Sequence, residues 1–321
     1  MWKVLLTDRA WPDSSIEREV LSRAGAELIE PPATDEETLV KYAADVDAIA
    51  TNWAKVPARV IRAAKKCQTV ARMGIGLDNI DVACATELGL PVTNCPDYCV
   101  PEVADHTLGL LLAMSRNIAF FHHRTKGGEY KLAAGAPMRR LSELTLGLFG
   151  LGRIGQAVAV RAQSFGLKII ATTSSGKDHG VGCEMVDVDE LFRRSDFVSL
   201  HAPLTPGTRH VVNAARLALM RPSASLINTS RGGLIDEAAL YDAVQSGKVA
   251  GAALDVFDPE PPNLSQPLFQ HERVVVTPHA AFVSEESLAH MRTQAMEQVA
   301  AVLLGNRPDN IVNPDFKSNR T

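Results

Sequence analysis

Thr145-Leu146-Gly147-Leu148-Phe149-Gly150-Leu151-Gly152-Arg153-Ile154-Gly155 is the stretch on which the fold turns. An apolar run ending at Phe149 predicts a buried strand, and an apolar-periodic segment over 154–165 predicts a helix. Between them stands G-x-G-x-x-G, and the strand–turn–helix setting is what gives that spacing a physical meaning. Gly150 makes the tight turn, Gly152 lets backbone approach a pyrophosphate, and Gly155 lets helix and strand pack closely. The anion would rest on the helix N-terminus, where N–H groups and the dipole favour negative charge. Gly150, Gly152, Arg153, Ile154 and Gly155 are therefore expected to bind a dinucleotide.

An acidic residue about 20 positions on would hold a ribose 2′-hydroxyl. The next strand, Lys168–Ala171, instead runs into Thr172-Thr173-Ser174-Ser175-Gly176-Lys177, with no carboxylate before Asp178. A carboxylate would repel a 2′-phosphate, whereas hydroxyls and a lysine accept one. NADP(H) is thus expected to serve at least as well as NAD(H), with Thr173, Ser174, Ser175 and Lys177 as candidates. The bland alternative is a solvated turn.

Outward from this loop, strands and helices alternate in both directions. Downstream come 168–171, a helix near 187–193, 197–200, 225–228, a helix at 236–246, 251–254 and 274–276, enough for a complete doubly wound domain. Upstream, residues 1–95 repeat the rhythm with strands at 4–6, 27–29, 48–50, 69–71 and 91–93. The fold class is α/β, two doubly wound parallel-sheet lobes. A long apolar helix over 102–121 and a weakly patterned arm to 144 suggest contact with a partner subunit, and a last helix, 284–304, returns the chain to the first lobe.

At 321 residues, 46% hydrophobic and 22% charged, the chain has the composition of a folded globular protein. A net charge of −4, without a basic run, argues against nucleic acid. The apolar start, Val4-Leu5-Leu6, is too short for a signal-peptide core or a membrane span. Cys67, Cys84, Cys95, Cys99 and Cys183 have no zinc-site or disulfide-framework spacing, so reduced cytoplasmic thiols and no metal are expected.

Three successive strand ends carry chemistry. Arg231 follows Asn228-Thr229-Ser230, Glu260 follows Asp255 to Pro259, and His279 follows Thr277-Pro278. An arginine binds a carboxylate in a fork, a histidine exchanges the proton of a carbinol oxygen, and a glutamate orients the imidazole. That set suits reversible hydride transfer to a 2-oxo acid.

These segments, with Arg72-Met73-Gly74-Ile75-Gly76-Leu77-Asp78-Asn79-Ile80-Asp81 and Leu200-His201-Ala202-Pro203-Leu204, closely resemble the D-isomer-specific 2-hydroxyacid dehydrogenase family over essentially the whole chain. The resemblance implies that Arg231, Glu260 and His279 are catalytic and that the Ile75 and Gly76 amides hold the substrate carboxylate. It also implies that Asp255 holds the nicotinamide carboxamide, with His201, Ala202, Pro203, Thr229 and Ser230 beside the cofactor. It implies a split flavodoxin-like substrate domain, 1–98 and 286–321, around an inserted Rossmann domain, 99–285, and a homodimer. Arg72 and the segment Thr277–Glu285 are similar to the C-terminal-binding-protein branch, whose members also act as NAD-sensing scaffolds and which carries Trp where this chain has Phe282. Arg72 and Phe282 join the substrate-binding candidates, and Arg72 would favour a substrate with a second anionic group. Asn52, Trp53 and Tyr98 are further pocket candidates. The rival readings are a nucleotide-sensing scaffold and a formate- or phosphite-type dehydrogenase.

Overall fold

The computed structural model describes residues 1–317, in two compact units: Met1–Tyr98 with the described residues from Ser284 onward, and Cys99–Val283. The first unit begins with β1 (Trp2–Leu6), α1 (Ser15–Arg23), β2 (Ala26–Ile29), α2 (Glu36–Ala43) and β3 (Ala48–Thr51). It continues with α3 (Ala58–Ala63), β4 (Val70–Arg72), α4 (Val82–Glu87) and β5 (Val92–Thr93). Its five strands lie in the order β2-β1-β3-β4-β5, all parallel. Every residue of β3 and β4 is buried, as a parallel strand covered on both faces requires.

The second unit holds α5 (Val100–Ser115), α6 (Ile118–Lys126), β6 (Thr145–Phe149), α7 (Arg153–Ser164), β7 (Lys168–Thr172), β8 (Glu184–Met185) and α8 (Val188–Arg194). There follow β9 (Phe197–Leu200), α9 (Ala214–Leu219), β10 (Ser225–Asn228), α10 (Glu237–Gln245), β11 (Gly251–Leu254), α11 (Pro267–Gln270) and β12 (Val274–Val276). The sheet order is β12-β11-β10-β9-β6-β7-β8, again all parallel. The order reverses at β6, whose neighbours are β7 and β9, and such a reversal is where open α/β sheets bind ligands. One apolar cluster under each face of the sheet forms the core, one built on Phe192, Leu226 and Leu254, the other on Leu111, Leu146 and Val158.

The single helix expected over 102–121 is two helices. α5 ends at Ser115, and Asn117 takes a left-handed conformation (φ 52°) that starts α6 in a new direction. Asparagine tolerates that conformation because its short amide can bond locally, and here Nδ2 donates to the Ala136 carbonyl. Ile118, Tyr130 and Leu132 stand exposed along this helix and the arm behind it.

The chain re-enters the first unit through α12 (Glu285–Leu303), whose start is fixed by a reciprocal cap between Ser284 and Ser287. From α12, Arg292 reaches the wholly buried Glu17 of α1 with two hydrogen bonds, 2.8 and 2.7 Å, and stacks on Trp11. Beyond α12, Asn313 straps β5: Oδ1 accepts from Val92 N–H at 2.7 Å, and Nδ2 donates to the Leu90 carbonyl at 2.9 Å.

Candidate active site

In the second unit, strand register places the chemistry. Phe149 pairs with Leu200, Leu200 with Asn228, Asn228 with Leu254 and Leu254 with Val276, so five strands end side by side. The segments that follow, at Gly150, His201, Thr229–Arg231, Asp255 and Thr277–His279, therefore line one edge of the sheet.

Gly150 (φ 102°) requires glycine twice over, since a Cβ there would stand 2.6 Å from the His201 carbonyl carbon. A Cβ on Gly152 would meet nothing within 4 Å, so the backbone there is open to an approaching group. Gly155 lies against the Gly150 carbonyl. The first turn of α7 has no side-chain cap and no acidic residue, leaving the Arg153 and Ile154 amides at an anion-ready N-terminus. Open backbone at Gly152 and an uncapped helix start fit a pyrophosphate. Gly150 N–H donates to the Thr172 carbonyl, which brings the end of β7 beside the loop. There Ser174, Ser175 and Lys177 are exposed and Thr173 half-buried. Asp178 is turned into its own loop, where it accepts from the Gly180 and Gly182 amides. The sequence reading passed over His179, whose Nε2 lies 3.2 Å from Ser175 Oγ; it is a second basic group in this turn.

Burial pushes the His201 imidazole down to about 4, so it is neutral at physiological pH, with Nε2 2.8 Å from Ser199 Oγ. Its backbone and that of Ala202 form the wall under Gly150. Pro203 is exposed at the same rim. Ser230 Oγ donates to the Ala202 carbonyl at 2.7 Å, fastening this wall to the arginine loop.

Glu260 divides its carboxylate between two tasks. Oε1 accepts from Phe257 N–H at 2.9 Å, and Oε2 stands 2.8 Å from His279 Nδ1. Burial opposes ionisation of Glu260, but the His279 hydrogen bond and charge, the Phe257 amide and the Arg231 charge outweigh it, and its pKa lies below the ordinary value. Nδ1 is thus the imidazole nitrogen that Glu260 engages. The Phe282 ring meets the imidazole edge-on, with centroids 5.8 Å apart. His279 itself is left-handed (φ 51°), and its N–H donates to the Thr277 carbonyl.

Asp255, fully buried, holds that turn. Oδ1 accepts from Thr277 Oγ1 (2.5 Å) and Ala280 N–H (2.9 Å), and Oδ2 accepts from Ala281 N–H (2.9 Å). The Arg231 loop is set by Asn228, which accepts from Ser230 N–H and donates to the Arg231 carbonyl. Arg231 Nη1 donates to the Ser230 carbonyl at 2.7 Å.

In the first unit, Arg72 ends β4, 8% exposed, and its guanidinium lies over the Cα of Gly74 (φ 147°) and donates to the Met73 carbonyl. The loop after it is pinned by Cys95 N–H to the Gly74 carbonyl and by Asn94 Nδ2 to the Ile75 carbonyl. Among the described residues, the Ile75 and Gly76 amides donate to no other group, which suits them to an anion. Asn52 and Tyr98 are buried and Trp53 is half-exposed.

Residues 108–281 match the family model described as D-isomer specific 2-hydroxyacid dehydrogenase, NAD binding domain. The chain is 41% identical to D-3-phosphoglycerate dehydrogenase of Methanocaldococcus jannaschii over 98% of its own length and 60% of that protein. It therefore spans less than two thirds of that relative. It is 42% identical to hydroxypyruvate reductase of Thermotoga maritima, covering 83% of this chain and 87% of that one. Among solved structures, it superposes with a TM-score of 0.87 on an NADPH-dependent glyoxylate/hydroxypyruvate reductase of Sinorhizobium meliloti in complex with NADP and malonate. That match is 31% identical and covers all of this chain and 99% of the other.

Proposed function

Since the chain belongs to the D-isomer specific 2-hydroxyacid dehydrogenase family, we propose that it reduces a small 2-oxo acid to the D-2-hydroxy acid, with NADPH serving at least as well as NADH. The observation that carries this reading is the Glu260–His279 pair, 2.8 Å apart, with the second carboxylate oxygen tied down on Phe257 N–H. An imidazole held at Nδ1 by a carboxylate presents Nε2 as a proton donor to a carbonyl oxygen, and as an acceptor in the reverse direction. Arg231 binds the substrate carboxylate in a fork and draws charge from the carbonyl. The Ile75 and Gly76 amides and Arg72 are assigned to the substrate's anionic groups, and Phe282 to an apolar wall beside His279.

When bound, the nicotinamide supplies the hydride. Gly150, Gly152, Arg153, Ile154 and Gly155 would hold the pyrophosphate, Thr173, Ser174, Ser175 and Lys177 a 2′-phosphate, and His201, Ala202, Pro203, Thr229, Ser230 and Asp255 the nicotinamide half. The second unit is then the cofactor domain, and the first the substrate domain. The exposed Ile118, Tyr130 and Leu132 suit a homodimer formed through the arm. Burial lifts the Cys67 thiol to about 12 and raises that of Cys84, so these thiols are poor nucleophiles; a cytoplasmic setting is part of the same reading.

The test is oxidation of NADPH and NADH, side by side, with a panel of 2-oxo acids differing in size and in a second anionic group. Turnover is expected with at least one acid, with NADPH no worse than NADH. In His279→Gln it should fall by about 10²–10⁴ while cofactor affinity survives. A variant turning over like the unmodified enzyme would take His279 out of the chemistry.

A further inference from the structure

The loops bearing Arg231 and His279 leave β10 and β12, which are separated in the sheet by β11, and neither loop touches the other through the bonds described above. Besides the loop after β11, which abuts Gly232 and holds His279 through Glu260, one further element reaches both. His106 and Thr107, consecutive residues of α5, bond to Thr277 and to Thr229: His106 Nε2 lies 3.1 Å from Thr277 Oγ1, and Thr107 Oγ1 lies 2.8 Å from Thr229 Oγ1. Thr277 stands two residues before His279 and Thr229 two before Arg231.

Proton accounting gives both bonds a direction, because a hydroxyl has one hydrogen to donate. Thr107 donates to the Val103 carbonyl at 2.7 Å, so the buried Thr229 hydroxyl is the donor to Thr107. Thr277 donates to Asp255 Oδ1 at 2.5 Å, so His106 Nε2–H is the donor to Thr277. Two relays result, one running from Thr229 through Thr107 to the Val103 carbonyl. The other runs from His106 through Thr277 to Asp255, the carboxylate that also holds the Ala280 and Ala281 amides on the far side of His279.

We propose that His106 and Thr107 are positioning residues that make α5 a common splint for the arginine and histidine loops, fixing the spacing of Arg231 and His279 through Thr229 and Thr277. The inference rests on the catalytic assignment of those two residues. Neither α5 residue needs to meet substrate. Each acts by aligning a group that does, and misplacement by about 1 Å can cost 10²-fold in rate.

The experiment compares kcat, KM for the 2-oxo acid and the dissociation constant of NADPH, followed by its fluorescence, in Thr107→Val, Thr107→Ser, His106→Leu, His106→Gln and His279→Gln, with melting temperatures alongside. Valine keeps the shape of Thr107 and removes the acceptor for Thr229; leucine removes the His106 donor. Each should lower kcat by about 10–100-fold, a larger change than any in NADPH affinity. Serine restores the hydroxyl and glutamine restores a donor near Nε2, so both should recover most of the lost kcat even if they melt lower. The inference is overturned if Thr107→Val and His106→Leu keep the unmodified kcat. It is equally overturned if their kcat follows melting temperature alone and the conservative variants rescue nothing. Normal turnover in His279→Gln would instead bring down the catalytic assignment, so the two failures are told apart.

Discussion

Glu260 shows how one carboxylate can be anchored by one oxygen while the other meets an imidazole. The oxygen on Phe257 N–H stops the carboxylate from rotating, and the other oxygen therefore meets His279 in one orientation. Its pKa lies below the ordinary 4.5, so the pH dependence has a definite sign. A carboxyl group depressed in the folded state adds stability that is fully present above its unfolded pKa and is lost as pH falls through the folded one. The stability difference between the unmodified protein and Glu260→Gln should thus shrink as pH falls below about 4.5. Denaturant unfolding at a series of pH values checks this, and a difference still constant at pH 3 would contradict it. At this scale much was legible in the sequence. Arg231, Glu260 and His279 each follow an apolar run that ends abruptly, and a strand end is a position that one sequence displays. His106 and Thr107 were not legible. They sit in an apolar helix without a motif, and their partners lie 171 and 122 residues away.

At the scale of elements, the arginine loop is held close to the glutamate loop by an absent side chain. A Cβ on Gly232 would overlap the Phe257 carbonyl, so the two backbones are in contact there. Gly232→Ala must push them apart, shifting Arg231 relative to Glu260. The expected result is a loss of kcat/KM of about 10–100-fold with destabilisation of about 1–3 kcal/mol, read from steady-state kinetics and equilibrium unfolding. Unchanged kinetics would mean that the loops tolerate the shift. Elements with strong apolar periodicity, such as β6, α7 and α12, were legible from the sequence because burial on a parallel sheet leaves continuous apolar runs. The break between α5 and α6 was not. Arg116-Asn117 carries neither proline nor glycine, and the bond that makes the left-handed turn worthwhile comes from Ala136, beyond any local window.

At the scale of the molecule, the first unit is closed by a buried ion pair between distant segments. Glu17 is fully buried, and Arg292 supplies both of its charge-assisted hydrogen bonds. Removing one partner of a buried pair strands the other charge, which costs about 3–5 kcal/mol. Arg292→Met should therefore destabilise the first unit by roughly that amount, while unfolding of the second unit keeps its midpoint. Two probes, a Trp11 signal for the first unit and NADPH release for the second, separate the transitions. A loss below about 1 kcal/mol would show that the pair behaves like a solvent-exposed one.

The same closure sets an order of events on the ribosome. Residues 1–98 carry all five strands of their sheet but lack α12 and the Asn313 strap until the 185 residues of Cys99–Val283 have been made. At ~5–20 residues per second, that is a wait of about 10–40 s. During it, the β5 edge that Asn313 later straps and the Glu17 carboxylate have no native partner. The continuous cofactor-type unit is free to fold first, so the nascent first unit is the part most in need of a chaperone.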